Sequence, residues 1–435
     1  MEPSDWTRKE IIDYKTTIPA EIGEESGQAG DGGQRNMRIK RAYKTELDPS
    51  NTQRTVLFKH AGAARFAYNW GLAQRGAEYA RIGRSSNAIE LHRQLNLLKK
   101  TSFQWMYEVS KCAPQEALRD VDRAYRNFFE GRARCPRLRN RKQAVGGFRL
   151  TGSIRVLPNS VQLPRIGRVR LKEKGYLPTR GVHILSATVS QRAGRWFVSV
   201  QVEEEIQVPR NTGPVAGVDV GISKLATVSD GTIIENPRAL GRFERKRKRL
   251  QRALSRKMKN SRNRLDARMR LAACDFRVAC IRMDAHHKAT TMLARTKSVI
   301  GVESLNVAGL LKDHRVAKQL ADAGVGEFLR QLEYKSKWSG GVTIAADMFF
   351  PSTKRCSACG AVKGEMPLSE RTYRCGVCGF EADRDLNAAL NLQWVAASWA
   401  ETQNACQRRE FHAAARQVLP NEAGTERHLG DVPNG

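Results

Sequence analysis

Alternation of apolar and polar residues first becomes regular near Met37. From there to Leu47 the side chains of Ile39, Tyr43, Thr45 and Leu47 alternate with those of Lys40, Lys44 and Glu46, which predicts a strand. From about residue 52 to 130 the spacing becomes helical, and one apolar face carries Leu57, Ala61, Ala64 and Tyr68. Strands return from about 148 to 208, where the alternating apolar positions are Trp196, Val198, Val200 and Val202. The pattern over 37–210 therefore predicts a helical block inserted into a strand-rich region.

A second pattern begins after Pro214. A short apolar strand over 215–220 is followed by a hairpin whose strands flank Asp230-Gly231. Residues 238–296 have helical spacing, 299–302 form a buried type of strand, and a largely helical stretch runs to Trp338. A strand over 342–345 precedes a cysteine-rich segment and a helix from about 384 to 397. The fold class that we expect is multidomain α/β.

Three carboxylates stand at comparable places in these elements. Asp219 lies in the strand over 215–220, Glu303 ends the strand over 299–302, and Asp385 starts the last helix. Each has an ordinary alternative as a residue at a strand end or as a helix N-cap, and Asp383 is as good a cap as Asp385. The spacing to Asn387 and the small face that follows favours Asp385 for chemistry. Together the three acids predict a site for two Mg²⁺ ions that hydrolyses phosphodiesters.

The cysteines give the most specific local pattern. Two CxxC pairs, fifteen residues apart and each followed by glycine, consist of Cys356, Cys359, Cys375 and Cys378. This spacing predicts a zinc ribbon, in which four thiolates close a tetrahedral structural site, and chance placement is the alternative. Five further cysteines are scattered, which disfavours a disulfide framework and indicates a reducing compartment.

Charge indicates the partner. Lys and Arg number 75 against 44 acidic residues, a net charge of +31, which favours a nucleic acid over mere solubility. No apolar run approaches the roughly 18 residues that span a membrane. No export signal is recognisable either. We therefore expect no membrane partner and a cytoplasmic protein.

Several segments are candidates for nucleic-acid contact. One predicted helix over 242–270 has an apolar stripe of Leu250, Leu254 and Met258 among many cations. The predicted contact residues are Tyr68, Asn69, Trp70, Arg123, Arg126, Arg245, Lys246, Arg249 and Arg252. A solvated basic face, or for the aromatic residues a core stripe, is the alternative.

The segments GVDVGISKLATVSDG, VIGVESLNVAGL, FFPSTKRCSACG and YRCGVCGFEADRDLNAALNL resemble TnpB, a family of transposon-encoded, RNA-guided DNA endonucleases related to compact type V CRISPR effectors. The resemblance runs from about Met37 to Trp394. It implies a RuvC-like nuclease of the ribonuclease-H fold with an inserted zinc ribbon, and a wedge-like β-barrel with an inserted helical recognition domain. It also implies a guide RNA from the transposon end, a double-stranded DNA target beside a short motif, and catalytic acids at Asp219, Glu303 and Asp385.

The expected boundaries follow from the pattern and the resemblance together. We expect a disordered leader over 1–36, which leaves Met1 or Met37 as the start, and a disordered tail over 401–435. The wedge barrel takes 37–50 and 146–212, the helical domain 51–145, the nuclease 213–350 and 381–400, and the ribbon 351–380. Two other functions stay open: a nuclease-inactive RNA-guided repressor, and a transposase that joins strands directly.

Overall fold

The computed structural model describes residues 35–140, 146–367 and 369–418, with side chains up to 403. Residues 1–34 of the leader predicted over 1–36, and the tail after 418, lie outside the described residues. The last two residues of that predicted leader are part of a strand that begins at Arg35. The chain divides into two compact units. The first contains the residues up to Pro209 together with Arg238–Asp284, and the second contains Arg210–Pro237 and the residues from Ala285 onward.

The sheet of the first unit has seven strands. They are β1 (Arg35–Asp48), β2 (Gly147–Leu150), β3 (Arg155–Leu157), β4 (Ser160–Leu163), β5 (Gly167–Leu171), β6 (Val182–Arg192) and β7 (Arg195–Val208). Their order is β2-β6-β7-β1-β5-β4-β3, and all neighbours are antiparallel. The predicted alternation in β7 is confirmed, because Trp196, Val198, Val200 and Val202 are all buried. Closure of this sheet into a barrel stays a prediction.

The helical block lies between β1 and β2, as the sequence predicts. It contains α1 (Asn51–Ile82), α2 (Ala88–Thr101), a 3₁₀ turn (Gln104–Glu108) and α3 (Cys112–Phe129). Ser50 and Gln53 form a capping box that starts α1, since each side chain bonds the other's backbone N–H. The predicted apolar face of α1 is buried in a core shared with the sheet. The helical insertion and the strands thus fold as one body.

The basic stretch after Pro237 forms two helices instead of one. They are α4 (Ala239–Ser255) and α5 (Arg262–Thr296). Met258 falls in the break between them and is 77% exposed, so the predicted stripe ends at Leu254. Most of this region, up to Asp284, groups with the first unit, whereas the expected nuclease boundary of 213–350 included it.

The second unit is built on a mixed sheet. Its strands are β8 (Ala216–Val220), β9 (Lys224–Val228), β10 (Ile233–Glu235), β11 (Val299–Val302) and β12 (Val342–Ala345), in the order β10-β9-β8-β11-β12. The first three are antiparallel, and β11 is parallel to both β8 and β12. The helices between β11 and β12 are α6 (Val307–Leu310), α7 (Ala317–Ala323) and α8 (Val325–Trp338). Phe328 and Leu332 of α8 pack with Ile300 and Val218 in the core.

The chain then forms the ribbon hairpin β13 (Thr372–Arg374) and β14 (Glu381–Asp383), and a last helix α9 (Arg384–Val418). The expectation that regular structure ends near 401 is corrected, because α9 continues to Val418. The ribbon also includes β14 and therefore extends three residues past its expected end at 380. Within the described part of the chain, none of these helices meets the length and apolarity that membrane crossing needs.

Candidate functional site

Asp219 and Glu303 occupy equivalent register positions on the neighbouring strands β8 and β11. Strands β8 and β11 are parallel, with Ile300 opposite Ala216 and Val302 opposite Val218. Asp219 is the next residue in β8, and Glu303 directly follows the end of β11. Their carboxylates therefore belong to one end of the sheet, as the sequence predicts.

Two glycines bring α9 unusually close to this sheet. A Cβ atom on Gly217 would lie 1.9 Å from the Ala389 carbonyl oxygen, and one on Gly301 would lie 2.1 Å from that of Leu392. Both positions are therefore closed to any larger residue while the helix stays where it is. Because α9 begins at Arg384, this close packing fixes where its second residue, Asp385, meets the sheet.

The two aspartates at the start of α9 have different partners. The Oδ1 atom of Asp383 accepts the backbone N–H of Asp385 at 3.0 Å and that of Leu386 at 3.2 Å, which makes Asp383 the capping residue. Asp385 is therefore not needed as the cap, and its Oδ1 lies 3.3 Å from Nη2 of Arg384. The Lys224 ammonium lies 3.3 Å from Asp383 and 3.9 Å from Asp385, a contact that the sequence pattern did not indicate.

The environment of Asp219 includes the charges of the other two acids. Burial raises the pKa of Asp219 well above its ordinary value, and the negative charges of Glu303 and Asp385 raise it further. Arg384 offsets this only in part. A buried carboxylate beside two others is costly to ionise without a cation. Carboxylate oxygens are the donors that Mg²⁺ prefers, so the donor types of these three residues fit the predicted metal.

Glu303 has one further partner that sequence reasoning missed. The hydroxyl of Ser352 donates a short hydrogen bond to Oε1 of Glu303. Ser352 is 3% exposed and lies four residues before Cys356. A single serine outside any periodic element carries no sequence signal, and only the fold reveals the contact.

The four ribbon cysteines converge as predicted. Their sulfur atoms all lie within 4.8 Å of one another, with 3.7 Å between Cys356 and Cys378 and 3.6 Å between Cys359 and Cys375. Tetrahedral bonds of about 2.3 Å to zinc place sulfurs roughly 3.8 Å apart, so the cluster fits zinc. Each knuckle closes through a glycine with positive φ, 80° at Gly360 and 74° at Gly379. Backbone N–H groups of Cys378 and Val377 lower the pKa of Cys375, whereas at Cys378 the backbone N–H of Phe380 is outweighed by hydrogen bonds with the neighbouring thiols, which raise the pKa. Four sulfurs this close cannot all ionise without a cation, and zinc supplies that cation.

Three family models match the chain. One described as "Probable transposase" matches 197–313, "Cas12f1-like, TNB domain" matches 326–392, and "Helix-turn-helix domain" matches 37–84. Over 37–84 the structure contains most of the strand β1 and the whole of the single helix α1, and these form no pair of helices joined by a turn.

Full-length relatives decide the family. A Streptomyces pristinaespiralis protein named "Putative RNA-guided DNA endonuclease" is 35% identical over 360 residues, which cover 82% of this chain and 89% of that protein. The Escherichia coli (strain K12) protein InsQ, with the same description, is 32% identical over 82% of this chain and 92% of its own length. "TnpB-like protein L79" of Acanthamoeba polyphaga mimivirus is 33% identical over 115 residues, 25% of this chain and 22% of that protein. The chain belongs to the TnpB family.

A solved structure is also similar to this TnpB family member. It is described as a Cas12f1-sgRNA-target DNA complex, and it is 15% identical with a TM-score of 0.33. The match covers 82% of this chain and 99% of that one.

The predicted aromatic contact site of this TnpB chain is engaged within the protein. The ring of Tyr68 is 5% exposed, and the Arg139 guanidinium lies over it at 3.7 Å from its centre. The Asn69 side-chain amide accepts a hydrogen bond from the Arg139 backbone N–H at 2.8 Å and donates one to the Arg139 carbonyl at 3.0 Å. Trp70 packs partly buried against the core. Here Tyr68 and Asn69 hold the basic segment after α3, and base contact by them stays a prediction that requires this segment to move.

The predicted cationic residues are better placed for phosphates. Arg245, Lys246, Arg249 and Arg252 are all exposed on α4, whereas the neighbouring Arg247 pairs with Asp275 at 2.8 Å. Arg126 of α3 is exposed, and Arg123 is exposed beside Asp120 at 3.5 Å. Exposure permits phosphate contact but does not test it, so these contacts also stay predictions.

Proposed function

We propose that this TnpB chain is an RNA-guided DNA endonuclease that hydrolyses phosphodiesters with two Mg²⁺ ions at Asp219, Glu303 and Asp385. The convergence of these acids on one end of a mixed sheet carries the proposal. The names of its relatives support the guide and the DNA target. An acidic first strand that continues into a hairpin supports the RuvC-like, ribonuclease-H assignment.

The protein's own residues prepare the site. Asp219 is held in β8 and Glu303 at the end of β11, while the close packing of Gly217 and Gly301 keeps Asp385 beside them. When bound, the two ions supply an activated water and stabilise the leaving oxygen. Asp219 must release its proton for this, because only the carboxylate form binds the ions. The four ribbon cysteines would hold a zinc ion in a closed thiolate site, whose role would be structural.

Target choice is assigned to the nucleic acids. A guide RNA from the transposon end would pair with one DNA strand, and the protein would read only a short adjacent motif, as in other guided effectors. The excess of 75 basic over 44 acidic residues supports backbone contact with both partners.

The test compares the wild-type chain with Asp219→Ala, each purified with its co-expressed RNA. We expect the wild type to cut a DNA that matches the bound RNA, and the variant to bind it without cutting. Removal of the RNA with ribonuclease should abolish cutting by the wild type. Wild-type cutting by Asp219→Ala would refute the site.

The same assay separates the alternatives. A guided repressor would bind the target without cutting it, and a transposase would join strands without the RNA. The presence of all three acids favours the nuclease over the repressor.

A further inference from the structure

We propose that Ser352 is a positioning residue for Glu303, and that it transmits the folded state of the four-cysteine ribbon to the acidic cluster. This inference rests on the proposed nuclease function. It names a residue outside the three acids and the four cysteines, and it gives the ribbon a role in the geometry of the cutting site.

The first step is the contact with Glu303 itself. Glu303 follows the last residue of β11, so the strand ladder does not fix its side chain. The Ser352 hydroxyl donates to its Oε1 atom from a buried position, since Ser352 is 3% exposed, whereas Glu303 is half-buried. A hydrogen bond to a charged acceptor is among the stronger ones in proteins. The bond therefore restricts the orientation that the Glu303 carboxylate presents to a cation.

The second step is what holds Ser352. Its backbone N–H donates to the Phe350 carbonyl at 2.8 Å, and its carbonyl accepts from Nδ2 of Asn391 at 2.8 Å. Asn391 is completely buried in α9. The position of Ser352 is thus set by its own turn and by the helix that begins with Arg384-Asp385.

The third step connects this turn to the ribbon. Asn391 also donates to the Arg355 carbonyl at 2.6 Å and accepts from the Arg355 guanidinium at 2.9 Å. Asn387, also fully buried, donates to the same carbonyl at 2.8 Å and accepts from the backbone N–H of Ser357 at 3.0 Å. Arg355 and Ser357 flank Cys356, the first zinc-ligand candidate. The amides of two asparagines one turn apart therefore bind the chain on both sides of that cysteine.

The consequence is a continuous polar network from the first knuckle to Glu303. Buried polar groups are costly to leave without partners, so the members of such a network form and separate together. When the knuckle around Cys356 is folded, the segment 352–357 is held on α9 and Ser352 meets Glu303. Loss of the knuckle would release Ser352 and leave Glu303 less ordered.

The experiment compares Ser352→Ala, Ser352→Thr and Thr353→Ala, each as the complex with guide RNA. Ser352→Thr keeps the hydroxyl, and Thr353→Ala removes a hydroxyl from the next residue as a matched control. We expect Ser352→Ala to cut about 10- to 100-fold more slowly at limiting Mg²⁺. It should need more Mg²⁺ for half-maximal rate and recover at high Mg²⁺. Ser352→Thr should regain much of the rate, and Thr353→Ala should cut like the wild type.

Readouts other than cutting separate positioning from a structural role. Zinc content and the affinity for guide RNA should stay at wild-type values in Ser352→Ala. Asn391→Ala should lose zinc faster to a chromogenic chelator and also cut more slowly. The double variant Ser352→Ala/Asn391→Ala should cut only slightly more slowly than the slower of the two single variants, as expected of one connected network.

Several results would overturn the inference. It fails if Ser352→Ala cuts like Thr353→Ala, if its Mg²⁺ requirement is unchanged, or if the double variant is fully additive. Asp219→Ala is measured in parallel. If that variant is inactive while Ser352→Ala is normal, only this inference fails, whereas cutting by Asp219→Ala refutes the proposed function itself.

Discussion

Asp383 and Asp385 lie two residues apart at the start of α9 and have separate tasks. Since Asp383 accepts both free N–H groups of the first turn, Asp383→Ala should cost about 1 kcal/mol of stability through the lost cap. We expect it to retain most of its cutting rate. If Asp385 holds the ions as proposed, Asp385→Ala should lose at least about a thousandfold in rate, because the lost ligand costs several kcal/mol of transition-state stabilisation. Cleavage kinetics and thermal unfolding of both variants check this.

Asp383→Ser provides the control, because serine also caps a helix. Its stability should return towards that of the wild type. If Asp383→Ala loses cutting as severely as Asp385→Ala while remaining folded, Asp383 belongs to the metal site and the assignment of the two residues is reversed.

Asp219 predicts a pH dependence of stability. Its pKa is raised in the folded protein, whereas the unfolded carboxyl ionises near the ordinary 3.8. The folded state therefore holds the proton more tightly, and it loses stability as pH rises from about 4 through the raised pKa. Asp219→Asn removes this loss. In Mg²⁺-free buffer we expect the variant to melt higher than the wild type at neutral pH, by a margin that vanishes below about pH 4.

Magnesium should reverse this order, because the ions stabilise only a protein that still has the Asp219 carboxylate. Melting temperatures with and without Mg²⁺, over a series of pH values, measure both effects. An Asn variant that is less stable at every pH would mean that Asp219 is not the strained member of the cluster.

At the level of elements, the contact between α9 and the mixed sheet determines the site. A methyl group on Gly217 would meet the Ala389 carbonyl at 1.9 Å, and backbone cannot move aside as a flexible side chain can. Gly217→Ala should therefore cost about 1–3 kcal/mol or more and displace Asp385 from the other acids. Cutting should fall far more than the affinity for guide RNA.

Gly364→Ala is the matched control, since a methyl group there meets no atom within 4 Å and Gly364 lies in the same unit. It should melt and cut like the wild type. Normal cutting by Gly217→Ala would show that the helix can shift on the sheet without loss of the site.

The elements also show what the sequence could and could not predict. Strands with strong alternation, such as β7, and the cysteine knuckles were predictable because their spacing is local. The break between α4 and α5 was not, since helical spacing continues through Met258 while that residue is exposed. The length of α9 was missed for the same reason: periodicity fades after 401 although the helix continues. The local pattern indicates which positions face the core, but it does not indicate where a helix is interrupted or ends.

At the site itself, the three candidate acids could be selected from the sequence because each one lies in, follows or starts a recognisable element. Their separate roles were not, because Asp383 and Asp385 differ only in which N–H groups they meet. The contacts of Ser352 and Lys224 with the acids could not be predicted either, because each contact joins residues that are far apart in the sequence. Asn387 and Asn391 did leave a signal: two amides at helical spacing on the face of α9 that packs on the sheet require buried partners.

For the whole molecule, the net charge of +31 predicts how guide RNA affinity responds to salt. Each phosphate that the protein neutralises contributes about 0.7 to 0.9 to the slope of log affinity against log salt. If α4 follows the RNA backbone, replacing Arg245, Arg249 and Arg252 by alanine should reduce that slope by about 2 to 3. Binding titrations at several salt concentrations measure it.

The matched control removes three cations that each pair with a carboxylate. Arg315, Lys337 and Arg374 lie 3.0, 3.1 and 3.1 Å from Asp313, Glu333 and Glu381. Both triple variants lower the net charge by the same amount, so they differ only in where the charge is lost. An equal fall in slope would mean that total charge determines affinity. If the slope changes in neither variant, α4 is a solvated helix. If the slope falls only in the α4 variant, α4 is the surface that binds the RNA backbone.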